Sequence, residues 1–369
     1  MSPAMAMNDQ RSDNDIPESQ YEKGVKHLYE NGDLHRVPKK YILPASDRPT
    51  TNIMEDSNVD EKQKLQLPII DFADLLGPNR SQVLQSLANA CEQYGFFQLV
   101  NHSISDDVVS SMIDVCGRFF NLSFEERAKY MTTDMKAPVR YGTSFSQTKD
   151  SVFCWRDFLK LLCHQDFFPH WPASPVDFRK VAATYAEETK HLFLVIMEAI
   201  LESLGIREEE DNILKELDNG SQMVVTNFYP PCPQPDLTLG MPPHSDYGFL
   251  TLLLQDEVEG LQIQFQDKWV TVQPIPNAFV VNIGDHLEIF SNGKYKSVLH
   301  RVLVNEFKSR VSVASLHSLP FNCTVRASQK LVDEANPKRY MDTDFDSFLA
   351  YISTRETKKK DFLDSRKLT

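Results

Sequence analysis

The sequence predicts a mixed α and β fold in which helices surround a β-sandwich or jelly-roll core. Two observations predict it. Before about residue 221 the apolar residues recur mostly at helical spacing, whereas after it short β-rich runs alternate with Pro, Gly and Asn. Many short strands separated by such turns are typical of a sandwich or jelly roll. The 369 residues, of which 41% are hydrophobic and 25% charged, are enough to build one large core.

The predicted elements divide the chain into four regions. Residues 1–64 are polar and rich in proline, and we expect a partly disordered extension with one short helix at Tyr21–Glu30. Residues 65–215 form a helix-rich region, with strands at Leu67–Phe72 and Phe96–Val100 and helices at Ser81–Tyr94 (N-cap Ser81), Asp106–Asn121, from Ser123, and Thr184–Leu204 (ended by Gly205). Residues 216–320 form the β-core, with strands at Met223–Tyr229, Phe249–Leu254, Leu261–Phe265, Trp269–Val272, Ala278–Ile283, Ser297–Val304 and Val311–Leu316. Residues 321–369 form a helical tail, with a helix at Thr343–Arg355.

Charge and cysteine content limit the partners and the compartment. The net charge of −13 gives no general basic field, so we expect neither nucleic acid nor a membrane surface as a partner. The six cysteines form no C-x-x-C pair, and no signal-like or membrane-length apolar run is found. We therefore expect a cytoplasmic monomer with reduced thiols that acts on a small-molecule substrate.

A pair of candidate metal ligands lies at His244 and Asp246, at positions i and i+2. On a β-strand these two side chains leave the same face of the sheet. His300 supplies a second imidazole in a valine-rich strand, where it needs a polar partner or a metal. Two His and one carboxylate leave coordination positions open, which is typical of non-haem Fe(II) oxygenases.

The next predicted strand carries Arg310 and Ser312, also at i and i+2. Their cation and hydroxyl would bind an anionic co-substrate beside the metal. Catalytic zinc is also held by two His and a carboxylate, so zinc stays open as the alternative metal. The H-E-x-x-H motif of helical zinc hydrolases is missing, however, and zinc chemistry gives no role to Arg310 and Ser312. His286 and Glu288 form another His-x-acid pair, but on the helix predicted there they would not face each other.

Several motifs follow one another in an ordered set. They are Ile69–Asp71, Gly95–His102, Trp155–Asp157, Asn227–Pro233, His244–Asp246, Asn282–Asp285, Ser291–Arg301 and Arg310–Ser312. Together they resemble the plant 2-oxoglutarate/Fe(II)-dependent dioxygenases of specialised metabolism, over about residues 65 to 355. The resemblance implies a double-stranded β-helix, which is a jelly roll, with surrounding helices.

The resemblance also implies cofactors and residue roles. The implied cofactors are Fe(II), 2-oxoglutarate as co-substrate and O2, with ascorbate in a supporting role. The implied iron ligands are His244, Asp246 and His300. The implied 2-oxoglutarate contacts are Arg310, Ser312, Tyr229 and Asn227. The reaction would couple oxidative decarboxylation of 2-oxoglutarate to hydroxylation or desaturation of the substrate.

The substrate is the least defined part of this interpretation. Tyr141–Phe145 and Trp155–Leu162 resemble family members that hydroxylate salicylate or flavonoids, and the β-core resembles the flavanone 3-dioxygenase-like branch. Leu316 and Ser318 replace the aromatic and acidic residues that flavonoid-oxidising members often carry after the Arg-x-Ser strand. The candidate pocket residues are Tyr141, Phe145, Phe249, Leu316, His317 and Phe321. Together they suggest a planar or hydrophobic small molecule, such as a flavonoid or phenolic acid.

Other functions stay open at this stage. The same fold could act on a non-aromatic substrate such as an alkaloid, terpenoid or hormone. It could also carry a different metal as a hydrolase or lyase, or be a catalytically silent binding protein. The complete set of five residues, His244, Asp246, His300, Arg310 and Ser312, favours an active oxygenase.

Overall fold

The computed structural model describes residues 17–32, 34–49, 66–144, 150–206, 212–354 and 361–368. The strands in these ranges are β1 (Ile69–Asp71), β2 (Phe96–Val100), β3 (Val139–Thr143), β4 (Asp157–Leu162), β5 (Ser221–Tyr229), β6 (Met241–His244), β7 (Leu250–Gln255), β8 (Leu261–Phe265), β9 (Lys268–Thr271), β10 (Phe279–Ile283), β11 (His300–Val302) and β12 (Arg310–Ser318). The helices are α1 (Glu18–Tyr21), α2 (Val25–Asn31), α3 (Phe72–Leu75), α4 (Arg80–Asn89), α5 (Asp106–Phe120), α6 (Phe124–Ala128), α7 (Phe178–Ser203), α8 (Ile213–Asp218), α9 (Asp285–Phe290), α10 (Phe345–Thr354) and α11 (Asp361–Asp364).

Two sheets form the β-core. Within the described ranges the larger sheet has eight strands in the order β1–β2–β10–β7–β12–β5–β4–β3, and the smaller has four in the order β6–β11–β8–β9. The sheets face each other, because Phe96 and Val280 of the larger sheet pack with Leu261 and Ile263 of the smaller one. This arrangement confirms the predicted jelly-roll core with surrounding helices.

Helices α5 and α7 cover the outer face of the larger sheet. Residues of α5 and α7 belong to the same buried cluster as outer-face residues of β5, β7, β10 and β12. At this interface Phe193 of α7 stacks on His317 of β12, with ring centroids 4.3 Å apart. Cys116 of α5 lies 3.3 Å from the hydroxyl of Thr226 on β5. The helices therefore seal one face of the sheet and leave its inner face for a site.

Helix boundaries agree with the predictions in part. Helix α7 ends before Gly205, whose φ of 76° suits a glycine, as predicted, but it begins at Phe178 rather than Thr184. Helix α6 follows Ser123, as predicted, and the Ser123 hydroxyl caps it by accepting from a backbone N–H of its first turn. The predicted N-cap Ser81 is wrong, because α4 begins one residue earlier.

The hydrophobic pattern does not predict β3, β4 or β6. Strand β6 contains Pro242 and Pro243, yet proline is tolerated there because β6 lies at the edge of the smaller sheet. Strands β3 and β4 carry Arg140, Asp157 and Lys160, which sequence patterns place at the surface, whereas all three are buried. The remaining β-core strands lie within one to three residues of their predicted bounds.

The described part of the N-terminal region packs against the β-core. Two short helices, α1 and α2, replace the single predicted one. The backbone N–H groups of Val25 and Lys26 donate to the buried carboxylate of Asp157, at 2.9 and 3.2 Å. Tyr41 and Trp155 join the same apolar cluster as Tyr229, which lies near the candidate site. The proposed division into four regions stays a prediction.

The length and polarity of the described helices bear on membrane insertion. Each of them is too short or too polar to cross a bilayer.

Candidate metal and co-substrate site

The three predicted metal ligands lie close together beside the smaller sheet. Strands β6 and β11 pair so that His244 lies directly opposite His300. The Nε2 atoms of His244 and His300 lie 3.8 and 3.6 Å from Oδ1 of Asp246. The candidate ligand atoms of the three residues all lie within 4.8 Å of one another. This spacing fits one metal ion held by two imidazoles and one carboxylate.

Hydrogen bonds orient both imidazoles toward that point. Nδ1 of His244 lies 2.9 Å from the carbonyl oxygen of Pro242, and Nδ1 of His300 lies 3.3 Å from that of Val298. A carbonyl oxygen only accepts, so Nδ1 carries the proton and Nε2 keeps its lone pair for a metal. Burial and the neighbouring His300 lower the pKa of His244 to about 3, so its imidazole is neutral at pH 7.

The carboxylate of Asp246 is held by two side chains. Its Oδ2 accepts from the hydroxyl of Thr251 at 2.6 Å and from the amide of Asn282 at 2.9 Å. Burial alone would raise the pKa of Asp246, but the two imidazoles and these hydrogen bonds keep it below its ordinary value. The group is therefore ionised, with Oδ1 directed toward the histidines.

A turn after β6, rather than the strand itself, positions Asp246. The strand ends at His244, so the expectation that both residues lie on one strand is wrong. The turn fits closely against Gly284, where an added Cβ would lie 2.0 Å from the carbonyl oxygen of Gly248. The carboxylate of Asp285 then accepts from the hydroxyls of Ser245 and Ser297. The Asn282–Asp285 motif thus builds the support of the acidic ligand.

A buried cation lies on the inner face of the larger sheet. Arg310 is 3% exposed, and its Nε and Nη2 donate to the carbonyl oxygen of Val258 and to the side chain of Gln255. Its Nη1 is buried and has no hydrogen-bond partner among the described residues. A buried guanidinium N–H without an acceptor is costly, and a carboxylate is its best geometric partner. The N–H of Nη1 is therefore suited to donate a hydrogen bond to a carboxylate of the predicted anionic co-substrate.

The other predicted co-substrate contacts surround this arginine. Tyr229 lies opposite Arg310 in the β5–β12 pair, with the guanidinium carbon 5.3 Å from its ring centroid. Two residues along the same pair, Asn227 lies opposite Ser312. All four residues are buried. The structure thus brings together the set that the sequence predicted.

Arg156 is a residue near the site to which the sequence interpretation gave no role. Its Nη1 donates to Oδ1 of Asn227 at 3.1 Å and lies 2.8 Å from the sulfur of Met241, so it links β5 to β6. Its Nη2 donates to the carbonyl oxygen of Ser144. The charge of Arg156 also contributes to lowering the pKa of His244. The Trp155–Asp157 motif is the sequence signal that could have identified Arg156, because it places an arginine directly before the buried strand β4.

Tyr141 does not line the inner face of the sheet, contrary to the prediction. Its hydroxyl donates to Asp157 at 3.0 Å and accepts from Arg127 at 2.8 Å, and its ring packs against Phe119 and Phe120 of α5. Adjacent strand residues point to opposite faces, so Tyr141 faces the helices while Arg140 faces inward.

Two more predicted pocket residues belong to the helix-facing core. Phe249 is fully buried and packs against Phe290 of α9. His317 stacks on Phe193, and its Nε2 lies 2.9 Å from the hydroxyl of Ser315. Burial lowers the pKa of His317 to about 3, which suits a neutral core residue. Neither side chain is available to a substrate on the inner face.

The remaining pocket predictions have different outcomes. Leu316 is half-buried on the same face of β12 as Arg310 and Ser312, and its role in a pocket stays a prediction. Phe321 is 40% exposed and packs on Phe345 of α10, with ring centroids 4.3 Å apart. Phe145 lies outside the described residues. Leu316 is therefore the predicted pocket residue with the clearest access to the inner face.

Comparisons with known proteins agree with this geometry. Residues 220–318 match the model of the 2OG-Fe(II) oxygenase superfamily, and residues 67–177 match that of the non-haem dioxygenase in morphine synthesis N-terminal family. The chain is 44% identical to protein DMR6-LIKE OXYGENASE 1 of Arabidopsis thaliana, over 81% of this chain and 84% of that protein. It is 37% identical to flavanone 3-dioxygenase 2 of Oryza sativa subsp. japonica, over 89% of this chain and 93% of that protein.

A solved structure is similar over nearly the whole length. The crystal structure of JOX2 in complex with 2OG, Fe and JA superposes with a TM-score of 0.82 and 32% sequence identity, covering 97% of this chain and 99% of that one. The superfamily name specifies Fe(II) and 2-oxoglutarate. The side chains of His244, Asp246 and His300 fit the iron, and the buried Nη1 of Arg310, which has no hydrogen-bond partner among the described residues, fits a carboxylate of 2-oxoglutarate. The chain therefore belongs to the 2OG-Fe(II) oxygenase superfamily and is a dioxygenase that uses Fe(II) and 2-oxoglutarate.

Proposed function

We propose that this dioxygenase hydroxylates or desaturates a small aromatic plant metabolite, such as a flavonoid or a phenolic acid. The observation that carries the reaction class is the convergence of His244, Asp246 and His300, in which His244 is a neutral imidazole and Asp246 an ionised carboxylate. When bound, Fe(II) and 2-oxoglutarate supply the activation of O2 and the oxidation of a substrate C–H bond.

We assign the iron to Nε2 of His244, Nε2 of His300 and Oδ1 of Asp246. Nδ1 of each imidazole is already engaged by a backbone carbonyl, so the ligands are oriented before a metal arrives. Three protein ligands leave room for the co-substrate and O2. Zinc binding at the triad would not explain why Nη1 of the buried Arg310 has no hydrogen-bond partner among the described residues, whereas 2-oxoglutarate beside iron would.

We assign the distal carboxylate of 2-oxoglutarate to Arg310, with Ser312, Tyr229 and Asn227 beside it. The other two donor groups of Arg310 are fixed by Val258 and Gln255, so Nη1 is held in place. A fixed donor binds a carboxylate without paying for side-chain ordering. The site is also buried, which strengthens the charge-assisted hydrogen bond.

The inner face of the larger sheet supports an apolar substrate. Beyond Asn227 and Ser312, the apolar residues on this face of β5 and β12 are Met223, Val225, Ala314 and Leu316, and all four are half-buried. Their neighbours on the outer face are more deeply buried, so the exposure is confined to one side of the sheet. An apolar surface that opens beside a metal site suits a small hydrophobic ligand.

A non-aromatic substrate is the second candidate. The similarity to the JOX2 structure with JA favours it, together with the aliphatic character of Met223, Val225 and Leu316. The names of the curated relatives favour the aromatic candidate, since flavanone 3-dioxygenase 2 is among them.

The substrate is tested by a mass-shift screen. The protein is incubated with Fe(II), 2-oxoglutarate, ascorbate and a panel of flavonoids, phenolic acids and non-aromatic acids. We expect a panel member to gain one oxygen or lose two hydrogens with matching succinate formation. Conversion of non-aromatic members alone would favour the second candidate. An absence of 2-oxoglutarate turnover, both with and without a panel member, would contradict the oxygenase itself.

We further propose that the protein works as a cytoplasmic monomer. Its six cysteines are free thiols, and four of them are fully or nearly fully buried. Free thiols are the usual state in a reducing compartment. Light scattering of the purified protein tests the oligomeric state, and imaging of a fluorescent fusion tests the compartment.

A further inference from the structure

A buried arginine beside the co-substrate contacts links the two sheets to each other. Arg156 lies directly before β4 and is 3% exposed. Its Nη1 donates to Oδ1 of Asn227 on β5 at 3.1 Å and lies 2.8 Å from the sulfur of Met241 on β6. Strand β5 belongs to the larger sheet and β6 to the smaller one, so one guanidinium group contacts both sheets at the site.

Further contacts hold the guanidinium of Arg156 in one orientation. Its Nη2 donates to the carbonyl oxygen of Ser144 at 2.8 Å, and its central carbon lies 4.9 Å from the ring centroid of Phe158. Phe158 lies directly opposite Asn227 in the β4–β5 pair, so the ring and the amide share the inner face. Arg156 therefore reaches Asn227 with a fixed geometry.

The contact with Arg156 determines which way the amide of Asn227 points. A guanidinium group offers donors only, so the atom of Asn227 that faces Arg156 must be the carbonyl oxygen Oδ1. The amide nitrogen Nδ2, with its two N–H groups, is therefore turned away from Arg156. Among the residues that the structure describes, its acceptor is the carbonyl oxygen of Val225 at 3.5 Å, which is long for a hydrogen bond. At least one N–H of Asn227 is thus available to a ligand.

The available N–H belongs to a residue among the proposed 2-oxoglutarate contacts. Asn227 lies directly opposite Ser312, and Tyr229 and Arg310 form the next pair on the same face of β5 and β12. Strands β4 and β12 flank β5 on opposite sides, so Arg156 approaches Asn227 from the side away from these contacts. A donor that is already oriented binds a ligand without the cost of ordering its side chain.

We propose that Arg156 is a positioning residue for 2-oxoglutarate, because it holds Oδ1 of Asn227 so that Nδ2 donates to the co-substrate. Arg156 acts through Asn227 and does not itself contact the co-substrate. The inference rests on the proposed function, which assigns Asn227 to the 2-oxoglutarate contacts. Without Arg156 the amide of Asn227 would be free to rotate, and in one of its two orientations an oxygen would face the ligand and repel a carboxylate.

Equilibrium binding of 2-oxoglutarate to Arg156→Gln tests the proposal without turnover. In anaerobic titrations of the Fe(II)-loaded protein, we expect the dissociation constant to rise by about 5-fold or more, as for one weakened hydrogen bond. The affinity for Fe(II) alone should stay within about 2-fold, because other residues orient the metal ligands. An unchanged constant for 2-oxoglutarate, or an equal loss of Fe(II) affinity, would overturn the proposal.

Arg301→Gln is the matched control. Arg301 is also buried, donates to the side chain of Gln262 and lies over the ring of Trp269. It follows His300 but leaves the opposite face of β11, so its loss should not change the constant for 2-oxoglutarate. Thermal unfolding shows that each variant is folded. A rise in the control as large as that in Arg156→Gln would assign the effect to the loss of any buried arginine and refute the positioning role.

A double-mutant cycle tests whether Arg156 acts through Asn227. In the Asn227→Ala background, Arg156→Gln should change the constant for 2-oxoglutarate by less than about 2-fold, because the amide that Arg156 orients is gone. A purely structural role of Arg156 would give the same factor with and without the amide. Equal factors in the two backgrounds would therefore contradict the inference.

Asn227→Asp tests the orientation of the amide while Arg156 stays in place. The carboxylate keeps an acceptor for Arg156 and replaces the N–H groups by an oxygen. We expect the fold to keep its thermal stability and the constant for 2-oxoglutarate to rise by about 10-fold or more. Binding as tight as in the wild type would show that Nδ2 is not a donor to the co-substrate, and the inference would fall.

Asn227→Ala separates this inference from the proposed function. An unchanged constant in Asn227→Ala would contradict the assigned 2-oxoglutarate contact and, with it, the role of Arg156. A raised constant in Asn227→Ala together with an unchanged one in Arg156→Gln would keep the contact and contradict the role of Arg156 alone. Raised constants in both, with the non-additive cycle, are the result that we expect.

Discussion

At the scale of single residues, Asp246 uses its two carboxylate oxygens for different purposes. Oδ2 accepts hydrogen bonds from Thr251 and Asn282, whereas Oδ1 faces the Nε2 atoms of both histidines. This division fixes the orientation of the ligand before a metal binds. The residue types of the metal site could be predicted from the sequence, but these two supporting partners could not, because they depend on how the turn at Asp246 packs against the neighbouring strands β7 and β10.

Removal of one supporting hydroxyl should weaken metal binding. Thr251→Val keeps the shape of the side chain and deletes its hydrogen bond to Asp246, so we expect the affinity for Fe(II) to fall by about 10-fold or more. An anaerobic competition titration with a chelator measures it. Thr271→Val makes the same change in β9, where the hydroxyl accepts from Gln262, and serves as control. Equal affinities for the two variants would argue against a supporting role of Thr251.

Replacement of Arg310 should weaken the binding of 2-oxoglutarate specifically. Arg310→Lys keeps the charge and loses the forked geometry of the guanidinium, so we expect the dissociation constant of 2-oxoglutarate to rise by about 10-fold or more. Equilibrium binding under anaerobic conditions measures it. Arg326→Lys, at an exposed position, should leave the constant unchanged. If Arg310→Lys also leaves it unchanged, Arg310 does not hold the co-substrate.

At the scale of elements, a buried carboxylate connects the N-terminal helices to the β-core. Asp157 on β4 accepts from two backbone N–H groups at the start of α2, and Arg127 of α6 lies 3.8 Å away. Hydrophobic periodicity could not predict this, because it treats an aspartate as a surface residue. The same limit explains why periodicity does not predict β3 and β4, since their charged residues Arg140, Asp157 and Lys160 are buried.

Loss of this carboxylate should loosen the N-terminal region. Asp157→Ala leaves two buried backbone N–H groups at the start of α2 without their acceptor and removes one of the two carboxylates near the buried Arg127, so we expect a destabilisation of about 3 kcal/mol and faster hydrogen exchange in residues 17–32. Chemical denaturation and exchange mass spectrometry measure the two effects. Asp114→Ala, at an exposed ion pair with Arg118, is the control and should have little effect. Unchanged exchange in residues 17–32 would show that Asp157 does not hold the segment.

At the scale of the whole molecule, the sequence predicts the architecture better than the pocket. The order of most helices and of most β-core strands follows from local periodicity, and the metal motif follows from residue chemistry. A substrate pocket depends on which face of each strand a side chain occupies. Tyr141 and His317 were placed there from motif proximity, yet both face the helices. Leu316 faces inward, because it lies an even number of residues from Arg310 on β12 and therefore shares its face of the sheet.

Anaerobic Fe(II) binding tests the central claim most directly. The wild-type chain should bind one Fe(II) per molecule and then bind 2-oxoglutarate, whereas Asp246→Ala should lose both, because the two imidazoles alone leave the ion without its carboxylate. Asp236→Ala, which removes an exposed carboxylate, should behave like the wild type. Unaltered iron occupancy in Asp246→Ala would contradict the assigned site.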